Sequence, residues 1–250
     1  MMEKQLGAIS RRALLRAAGA TVGVSTVARA AGAQQGGQFS VVQGGDCTSI
    51  TPLSGGEPVE ARYGYQLPGG KWTGKNGATD DGGPYFQSTG TSALQRKNTS
   101  LLFLYDGPKG LSLVVVHGKG GPGKRGGGAA TFTFSGLPGD GSWVVKDDFY
   151  LDPKTGTPAD TNYDRWKLDG PEQKIDWTWG GHYTDGGAFR GLGSQFEVRI
   201  DPAFNDASAL DSQDYSGKVS DWQVLSGSFQ NPERHSLDLS TPVTVRSGSC

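Results

Sequence analysis

The sequence is poor in the residues from which metal sites and covalent catalysis are usually built. Its 250 residues include only two cysteines and three histidines. The histidines, His117, His182 and His235, have no short ligand spacing, so we interpret them as surface or loop residues. A strand ending in His117-Gly118 suggests an α/β-hydrolase, but no Gly-x-Ser-x-Gly pentapeptide occurs, which excludes that architecture. The catalytic residues, if the protein has any, are therefore unknown from the sequence.

Positive charge and long apolar runs are also scarce. Residues 1–33 carry one acid and five bases, which leaves 24 acids and 19 bases, a net charge of −5, on the rest of the chain. A nucleic-acid partner is not indicated, because nucleic-acid binding requires a clustered basic surface. The bases of residues 119–125 are diluted by glycine and predict a solvated loop. No later stretch is long and apolar enough to predict a transmembrane helix.

Glycine, by contrast, is abundant at 41 residues, and short apolar runs lie between the glycine-rich turns. These runs are rich in β-branched and aromatic residues, which predicts strands. Residues 101–105 and 111–116 are continuously apolar and predict a hairpin that is buried on both faces. The predicted strands cover residues 38–42, 62–67, 101–105, 111–117, 131–134, 142–146, 174–179, 195–200, 219–225 and 243–246. This spacing predicts an all-β fold, a single glycine-rich, jelly-roll-like β-sandwich with long loops.

Helix is predicted in one place. Asp201-Pro202 offers an N-cap and a first-turn proline, so residues 204–210 could form two turns. We find no internal repeat and no domain boundary after residue 37. The sequence therefore predicts one domain over residues 38–250, with at most one or two short helices, preceded by a linker at residues 34–37.

The N-terminal residues have the pattern of an export signal. Ser10-Arg11-Arg12-Ala13-Leu14-Leu15-Arg16 precedes a weakly apolar stretch and small-residue patterns that end at Ala33. The segment resembles a twin-arginine (Tat) signal, with Arg11 and Arg12 as its arginine pair. The resemblance implies that residues 1–33 are a signal peptide and that the Tat translocase is a partner during export. The mature protein is then expected to be secreted, extracellular or periplasmic.

As a whole, the chain looks like the uncharacterised Tat-exported proteins of halophilic archaea. The similarity lies in the SRRALLR start, the LLFLYDGP stretch at residues 101–108 and the DGGAFRG turn at residues 185–191. That group has no assigned activity, so the resemblance implies export and no particular chemistry.

Two covalent modifications are compatible with export. Cys47 and Cys250 are expected to form a disulfide, because chain ends often lie close together and export makes a disulfide permissible. The alternative is a pair of free thiols. Asn98-Thr99-Ser100 matches the acceptor pattern for N-glycosylation at the entry to a predicted strand.

Residues 166–190 form the most distinctive region. Exposed tryptophan and tyrosine stack on sugar rings, while acids bind sugar hydroxyls, so this region is the candidate ligand site. Its candidate residues are Trp177, Trp179, His182, Tyr183 and Asp185. In the alternative interpretation, Trp177 and Trp179 lie in the core beside Ile175, and their indole N–H groups find backbone partners.

The sequence predicts no cofactor, although its acidic residues could bind one structural Ca²⁺. Two sets of carboxylates offer oxygen ligands, although neither follows the EF-hand pattern. The first set is Asp147 and Asp148 with Asp152 and Asp160, and the second is Asp176 with Asp185.

These observations favour an exported, non-catalytic β-sandwich that binds a glycan or another component of the cell surface or extracellular space. One alternative is a carbohydrate-active enzyme, a glycoside hydrolase or lyase, on a jelly-roll-like scaffold. A second alternative is a purely structural envelope protein. Two carboxylates in a cleft beside exposed tryptophans would favour the carbohydrate-active enzyme. Exposed tryptophans without such a pair would favour the binding protein. Burial of all six tryptophans would favour the structural envelope protein.

Overall fold

The computed structural model describes residues 38–65, 86–119, 127–151, 154–158, 162–211 and 217–250. The predicted signal peptide and linker, at residues 1–37, lie outside the described residues. Asp152 and Asp160 of the first predicted calcium set also lie outside them, as does Trp72. Within the described part, the chain contains no helix with the length and apolar character needed to cross a membrane.

The fold is an all-β sandwich, as predicted. The strands are β1 (Phe39–Gln43), β2 (Asp46–Ile50), β3 (Leu53–Ser54), β4 (Thr99–Gly107), β5 (Gly110–His117), β6 (Gly128–Ser135), β7 (Ser142–Lys146), β8 (Arg165–Lys167), β9 (Glu172–Trp179), β10 (Asp185–Arg190), β11 (Glu197–Phe204), β12 (Asp221–Gly227), β13 (Pro232–Leu237) and β14 (Val243–Ser247). The first sheet has the order β2-β1-β14-β11-β6-β9-β8. The second has the order β13-β12-β4-β5-β10-β7, and β3 pairs with β4. Most neighbours are antiparallel, but β12 and β3 both run parallel to β4.

The main core lies between the two sheets. Phe132 and Trp177 of the first sheet pack there with Leu102, Val115 and other residues of the second. Because side chains alternate along a strand, β4 and β5 send the intervening residues to the opposite face. Phe103 and Val114 belong to a second cluster on that face, so the β4–β5 hairpin is buried on both sides, as its continuous apolar runs predict.

A short helix, α1 (Val59–Tyr63), covers this outer face of the second sheet with Val59 and Tyr63. The sequence predicted a strand at residues 62–67, and this prediction is wrong for its described part. Gly64 takes a left-handed conformation with φ of 66° and donates its N–H to the Glu60 carbonyl. Glycine adopts this conformation readily and commonly ends helices in this way.

The helix predicted at residues 204–210 is also wrong. Strand β11 continues to Phe204, which pairs with Ala130 of β6, and a single 3₁₀ turn at Asn205–Ala207 follows. The Phe204 ring packs on Phe132 and Trp222 in the core. Burial of this side chain and the β6 ladder therefore outweigh the local helix signal of Asp201-Pro202.

The predicted disulfide between Cys47 and Cys250 is present. Cys47 lies on β2, and Cys250 follows β14. Strand β1 pairs with both of these strands, so the first sheet brings the two cysteines together. The disulfide links residues 203 positions apart and encloses almost the whole sandwich in one covalent ring.

Candidate functional site

Four aspartates are buried together at the ends of strands β7, β8 and β10, which lie next to one another. Asp147 and Asp148 follow β7, Asp164 precedes β8, and Asp185 is the first residue of β10. They are 0%, 8%, 3% and 0% exposed, respectively. We call these four residues the aspartate cluster. Asp164 comes from the edge of the first sheet, whereas the other three come from the second sheet.

Two unusual backbone positions shape the aspartate cluster. Asp148 has a φ of 49°, a left-handed conformation that is uncommon for residues with a side chain. This conformation breaks the strand alternation after β7, so Asp147 and Asp148 are both buried. Gly186 has a φ of 142°, and a Cβ atom there would lie 2.1 Å from the Val115 carbonyl oxygen. Glycine is therefore required directly after Asp185.

Each aspartate of the cluster has one carboxylate oxygen held by a hydrogen bond. The hydroxyls of Tyr63 and Tyr65 donate to Asp147 Oδ2 at 2.8 Å and to Asp148 Oδ1 at 3.0 Å. Backbone N–H groups donate to the other two: Thr178 to Asp164 Oδ1 at 3.1 Å and Gly186 to Asp185 Oδ1 at 2.7 Å. The remaining oxygens of three members are buried and have no hydrogen-bond donor in the described part of the chain: Asp147 Oδ1, Asp164 Oδ2 and Asp185 Oδ2.

Four ionised carboxylates without a balancing positive charge would be electrostatically unfavourable in the aspartate cluster. Burial raises the pKa of all four carboxyl groups, that of Asp148 to about 7, and repulsion among them raises the pKa of Asp147, Asp164 and Asp185 further. The ion pairs of the described residues include none of these carboxylates. At an effective dielectric constant of about 20, two unit charges about 5 Å apart repel by about 3 kcal/mol. The cluster therefore needs protons or a cation to balance its charge.

This chemistry suits the holding of a cation better than catalysis. Buried carboxylates are either protonated, paired or bound to metal. Asp164 and Asp185 are close enough to share a proton, which is the alternative to a shared cation. Their burial also keeps these carboxylates away from a polymeric substrate.

A second feature is a cleft beside the loop that joins β9 and β10. Its volume is about 420 Å³, and its lining includes Arg96, Lys97, Lys119 and His182. We call this feature the basic cleft. Small-molecule sites commonly measure about 300–1,000 Å³, so the basic cleft has room for one or a few sugar residues.

The basic cleft is lined by several cationic side chains of the described residues. Among the described residues, no carboxylate forms an ion pair with Arg96, Lys97 or Lys119. Arg234 lies near Arg96, and its pKa is lowered by burial and then by the positive charge of Arg96. An anion in the cleft would therefore meet the cationic side chains of Arg96, Lys97 and Lys119.

The basic cleft and the aspartate cluster share one loop. Thr184 directly precedes Asp185, and its Oγ1 accepts a hydrogen bond of 2.7 Å from the Ser88 N–H. The Ser88 carbonyl in turn accepts a hydrogen bond of 2.7 Å from Gln95 Nε2, and Gln95 lines the cleft. Four consecutive residues, from Gly181 to Thr184, thus connect the cleft with the cluster.

The structure corrects the stacking role expected of the tryptophans. Trp177 is 0% exposed and Trp179 is 4% exposed, so neither indole face is available to a sugar ring. Their Nε1 atoms donate to the backbone carbonyls of Gly186 and Gly118. The alternation that places Ile175, Trp177 and Trp179 on one face directs that face into the core, where the second sheet covers it. Trp143 and Trp222 are buried as well, and Trp166 is partly buried.

The other predicted ligand residues fall in two different places. His182 and Tyr183 are exposed on the loop between β9 and β10, with Tyr183 at 41% exposure, and His182 lines the basic cleft. Asp185 belongs to the aspartate cluster. The bases near residue 119, predicted to form only a solvated loop, include Lys119 in the cleft lining; residues 120–126 lie outside the described part.

The structure separates the second predicted calcium set and brings one of its members to the described pair of the first set. Asp147 and Asp148 of the first set lie beside Asp185 of the second. Asp176 lies elsewhere on β9, where it accepts a hydrogen bond from Thr131 and pairs with Lys174.

Asp164 was missed by the sequence reasoning. A signal for it exists: Asp160-Thr161-Asn162-Tyr163-Asp164 has the alternating oxygen spacing that opens many calcium loops. Asn162 exchanges two hydrogen bonds with the backbone of Tyr150, at 2.6 and 3.1 Å. This pairing brings the residues before Asp164 against those that follow Asp148.

The acceptor pattern at Asn98 lies in a tight turn. Asn98 has a φ of 56° and is half-buried, and its backbone pairs with Lys119 and Ser220. Ser100, the hydroxyl residue of the pattern, is buried and bonds to His117 Nδ1 at 2.7 Å. The pattern is therefore part of the folded start of β4.

The fold and these two features together define a disulfide-closed β-sandwich with a buried aspartate cluster and an adjacent basic cleft. No family model, curated protein or solved structure matches this chain.

Proposed function

We propose that this protein is exported by the twin-arginine route and binds an acidic glycan in the basic cleft without catalysing a reaction. The observation that carries the proposal is the group of cationic side chains around a cleft of about 420 Å³. The carboxylate or sulfate groups of an acidic glycan match these charges, because charge-assisted hydrogen bonds to such groups are among the strongest that proteins make.

An exposed aromatic side chain supports a sugar ligand in particular. Tyr183 follows His182 and is 41% exposed. The Phe86 ring contacts the Tyr183 ring edge to face, with 5.8 Å between centroids. One face of a tyrosine held in this way can stack on a sugar ring while the cations bind the acidic groups. Tyr183 thus takes the stacking role that the buried tryptophans cannot have.

The lining of the basic cleft also supports binding without catalysis. Glycoside hydrolases use a pair of carboxylates that flank the bond to be cleaved. The lining residues in the described part of the chain include cations, Ser92 and Gln95, but no carboxylate. The geometry thus favours the binding function over the enzyme alternative.

Binding is tested on the purified exported protein with columns of polygalacturonate and of a neutral polysaccharide. We expect retention on the acidic column that weakens as salt is added, because salt screens exposed charges. Lys97→Ala and Lys119→Ala should each weaken binding about tenfold, the effect of losing about 1.5 kcal/mol from one charge-assisted contact. Tyr183→Ala should also weaken it.

The matched control is Lys167→Ala, which removes the same charge from an exposed position on β8. Its retention should equal that of the wild-type protein. Equal retention on neutral and acidic columns, or wild-type binding by both cleft lysine variants, would contradict the proposal.

Export is tested in a Tat-competent host by replacing Arg11 and Arg12 together with lysine. The wild-type protein is expected outside the cytoplasm and shortened at its N-terminus. The double variant should accumulate in the cytoplasm at full length, since the Tat route reads the arginine pair. Wild-type levels of export by the double variant would show that another route carries the chain.

A further inference from the structure

The spacing of three carboxylates in the aspartate cluster fits a single cation. Asp148, Asp164 and Asp185 each offer one oxygen, and these three oxygens lie within 4.8 Å of one another. Ca²⁺ binds oxygens at about 2.3–2.6 Å, so two oxygens on opposite sides of one ion are about 4.6–5.2 Å apart. All three oxygens can therefore reach one Ca²⁺ without rearrangement of the backbone.

The unpartnered oxygens provide a second and independent reason. Asp164 Oδ2 and Asp185 Oδ2 are buried without a donor from any described residue, and so is Asp147 Oδ1, which lies outside the group of three. The opposite oxygen of each of these carboxylates accepts a hydrogen bond from a tyrosine hydroxyl or a backbone N–H. Metal-binding carboxylates are typically held in this way, with one oxygen fixed by an outer hydrogen bond and the other left for the ion.

The type of ligand identifies the cation. Carboxylate oxygens are hard ligands, which suit Ca²⁺, Mg²⁺ or Mn²⁺ better than the metals that prefer thiolate or imidazole. Both cysteines are already joined in the disulfide. Mg²⁺ usually keeps several water molecules and binds one or two carboxylates, whereas Ca²⁺ accepts six to eight oxygens in a flexible arrangement. Three carboxylates with a fourth beside them favour Ca²⁺.

We infer that Asp148, Asp164 and Asp185 bind one Ca²⁺, with Asp147 as the adjacent fourth carboxylate. The ion would join the edge of the first sheet, through Asp164, to the second sheet, through Asp148 and Asp185. These residues come together only in the folded chain, so Ca²⁺ binds the folded state and raises its stability.

The inference is tested on the full chain after removal of metal with EGTA and dialysis. Isothermal titration with CaCl₂ should show one site per chain, and titration with MgCl₂ should show at least tenfold weaker binding. The melting temperature should rise steadily with the logarithm of the Ca²⁺ concentration. Tighter binding of Mg²⁺ or Zn²⁺ than of Ca²⁺ would overturn the identification of the ion.

The decisive variants are Asp164→Asn and Asp185→Asn. Each keeps the size of the side chain but removes a charge, so Ca²⁺ affinity should fall at least tenfold. Without Ca²⁺, both variants should melt at the same temperature as the metal-free wild-type protein or higher, because mutual repulsion is relieved. If either aspartate only stabilised the fold, its replacement would lower the melting temperature of the metal-free protein.

Two matched controls separate the site from general effects. Asp176→Asn alters another buried aspartate, and Asp169→Asn alters an exposed one in the turn before β9. Both should keep wild-type affinity for Ca²⁺. Loss of binding in Asp176→Asn equal to that in Asp164→Asn would overturn the assignment of ligands.

Terbium provides a measurement that needs no variant. Tyr63 and Tyr65 touch the cluster through their hydroxyls, so excitation of aromatic residues should sensitise the luminescence of a bound Tb³⁺ ion. Ca²⁺ should quench this signal by displacement, with one ion bound per chain. Absence of Ca²⁺-displaceable luminescence, together with a melting temperature that does not respond to EGTA, would show that shared protons balance the cluster and would refute the inference.

Discussion

His117 shows how strongly the surroundings of one residue change its chemistry. It is buried on β5, and its ring stacks on Trp179 with 4.8 Å between centroids. Ser100 Oγ contacts its Nδ1, while its Nε2 has no hydrogen-bond partner among the residues that the structure describes. Burial lowers the pKa of His117 to about 3, so the ring is neutral at ordinary pH. The sequence predicts a surface or loop position for this histidine, and its burial shows that this prediction is wrong.

A neutral buried histidine makes the folded protein sensitive to acid. The pKa in the unfolded chain is about 6.5, so below that pH the unfolded state binds a proton that the folded state rejects. The stability that His117 contributes is present above about pH 6.5 and is lost as the pH falls toward the folded pKa. Between pH 6.5 and 4.5 the loss should be about 2.5 kcal/mol. Urea unfolding at pH 7.5 and 4.5 measures this loss of stability. The His117→Gln variant should lose less stability than the wild-type protein, because it lacks the contribution of His117.

The exposed His182 provides the control, since His182→Gln should follow the wild-type protein at both pH values. All three proteins contain the same acidic residues, so the difference between variants isolates His117. An identical loss of stability in His117→Gln and wild type would contradict the expectation.

For individual residues, the sequence predicted which side chains share a face of a strand but not which part of the protein covers that face. The alternation of Ile175, Trp177 and Trp179 was predictable, but their burial depends on strands of the other sheet. The aspartate cluster is a similar case, because the partners of Asp147 and Asp148 are Tyr63 and Tyr65, more than 80 positions earlier in the chain. No local pattern shows that these side chains meet.

The elements were predicted best where an apolar run was long and regular. The β4–β5 hairpin and strand β7 lie where the sequence placed them. Strand β10 was instead interpreted as a turn, because it begins Asp185-Gly186-Gly187. These glycines belong to a strand for a packing reason: a Cβ on Gly187 would lie 2.8 Å from the Trp166 ring and 3.0 Å from the Val145 carbonyl oxygen. Close approach requires glycine there, as it sometimes does within strands.

The loop between β9 and β10 should transmit the state of the aspartate cluster to the basic cleft. Removal of Ca²⁺ should loosen Asp185 and, through Thr184 and Ser88, the cleft wall that contains Gln95. Hydrogen exchange measured by mass spectrometry should therefore be faster at residues 86–97 in EGTA than in Ca²⁺. Thr184→Val, which removes the acceptor for the Ser88 N–H, should speed this exchange even with Ca²⁺ present.

Exchange in the β1–β14 region, far along the first sheet, is the internal control and should change little. Equal exchange at residues 86–97 with and without Ca²⁺ would show that the two features are energetically independent.

At the scale of the whole molecule, the disulfide should be a major source of stability. In the chain-entropy model, a bridge across about 200 residues stabilises the folded state by about 5 kcal/mol, within a measured range of about 0–5 kcal/mol. Cys250→Ser should therefore lower the urea midpoint clearly. Cys47→Ser and the double variant should lower it by the same amount, because either change opens the same bond. A double variant that is much less stable than both single variants would indicate that the two serines disturb the fold independently.

The all-β class and the pairing of the cysteines were predictable, since both depend on composition and on general properties of chain ends. The order of the strands was not. Two parallel neighbours of β4 come from opposite ends of the domain, β3 from before it and β12 from more than 100 residues after it. Such pairings depend on which edges remain available once the hairpins have formed.

The covalent ring between Cys47 and Cys250 also has a consequence for damage by proteases. A single cut at any surface loop inside the ring would leave both fragments attached to one another, with the hydrogen-bonded ladders still in register. The nicked protein would migrate as one species on a gel until a reductant separated the pieces. For the exported protein that we propose, which would meet proteases where thiols are few, the disulfide would hold both fragments together after a cut that would release half of an unbridged chain.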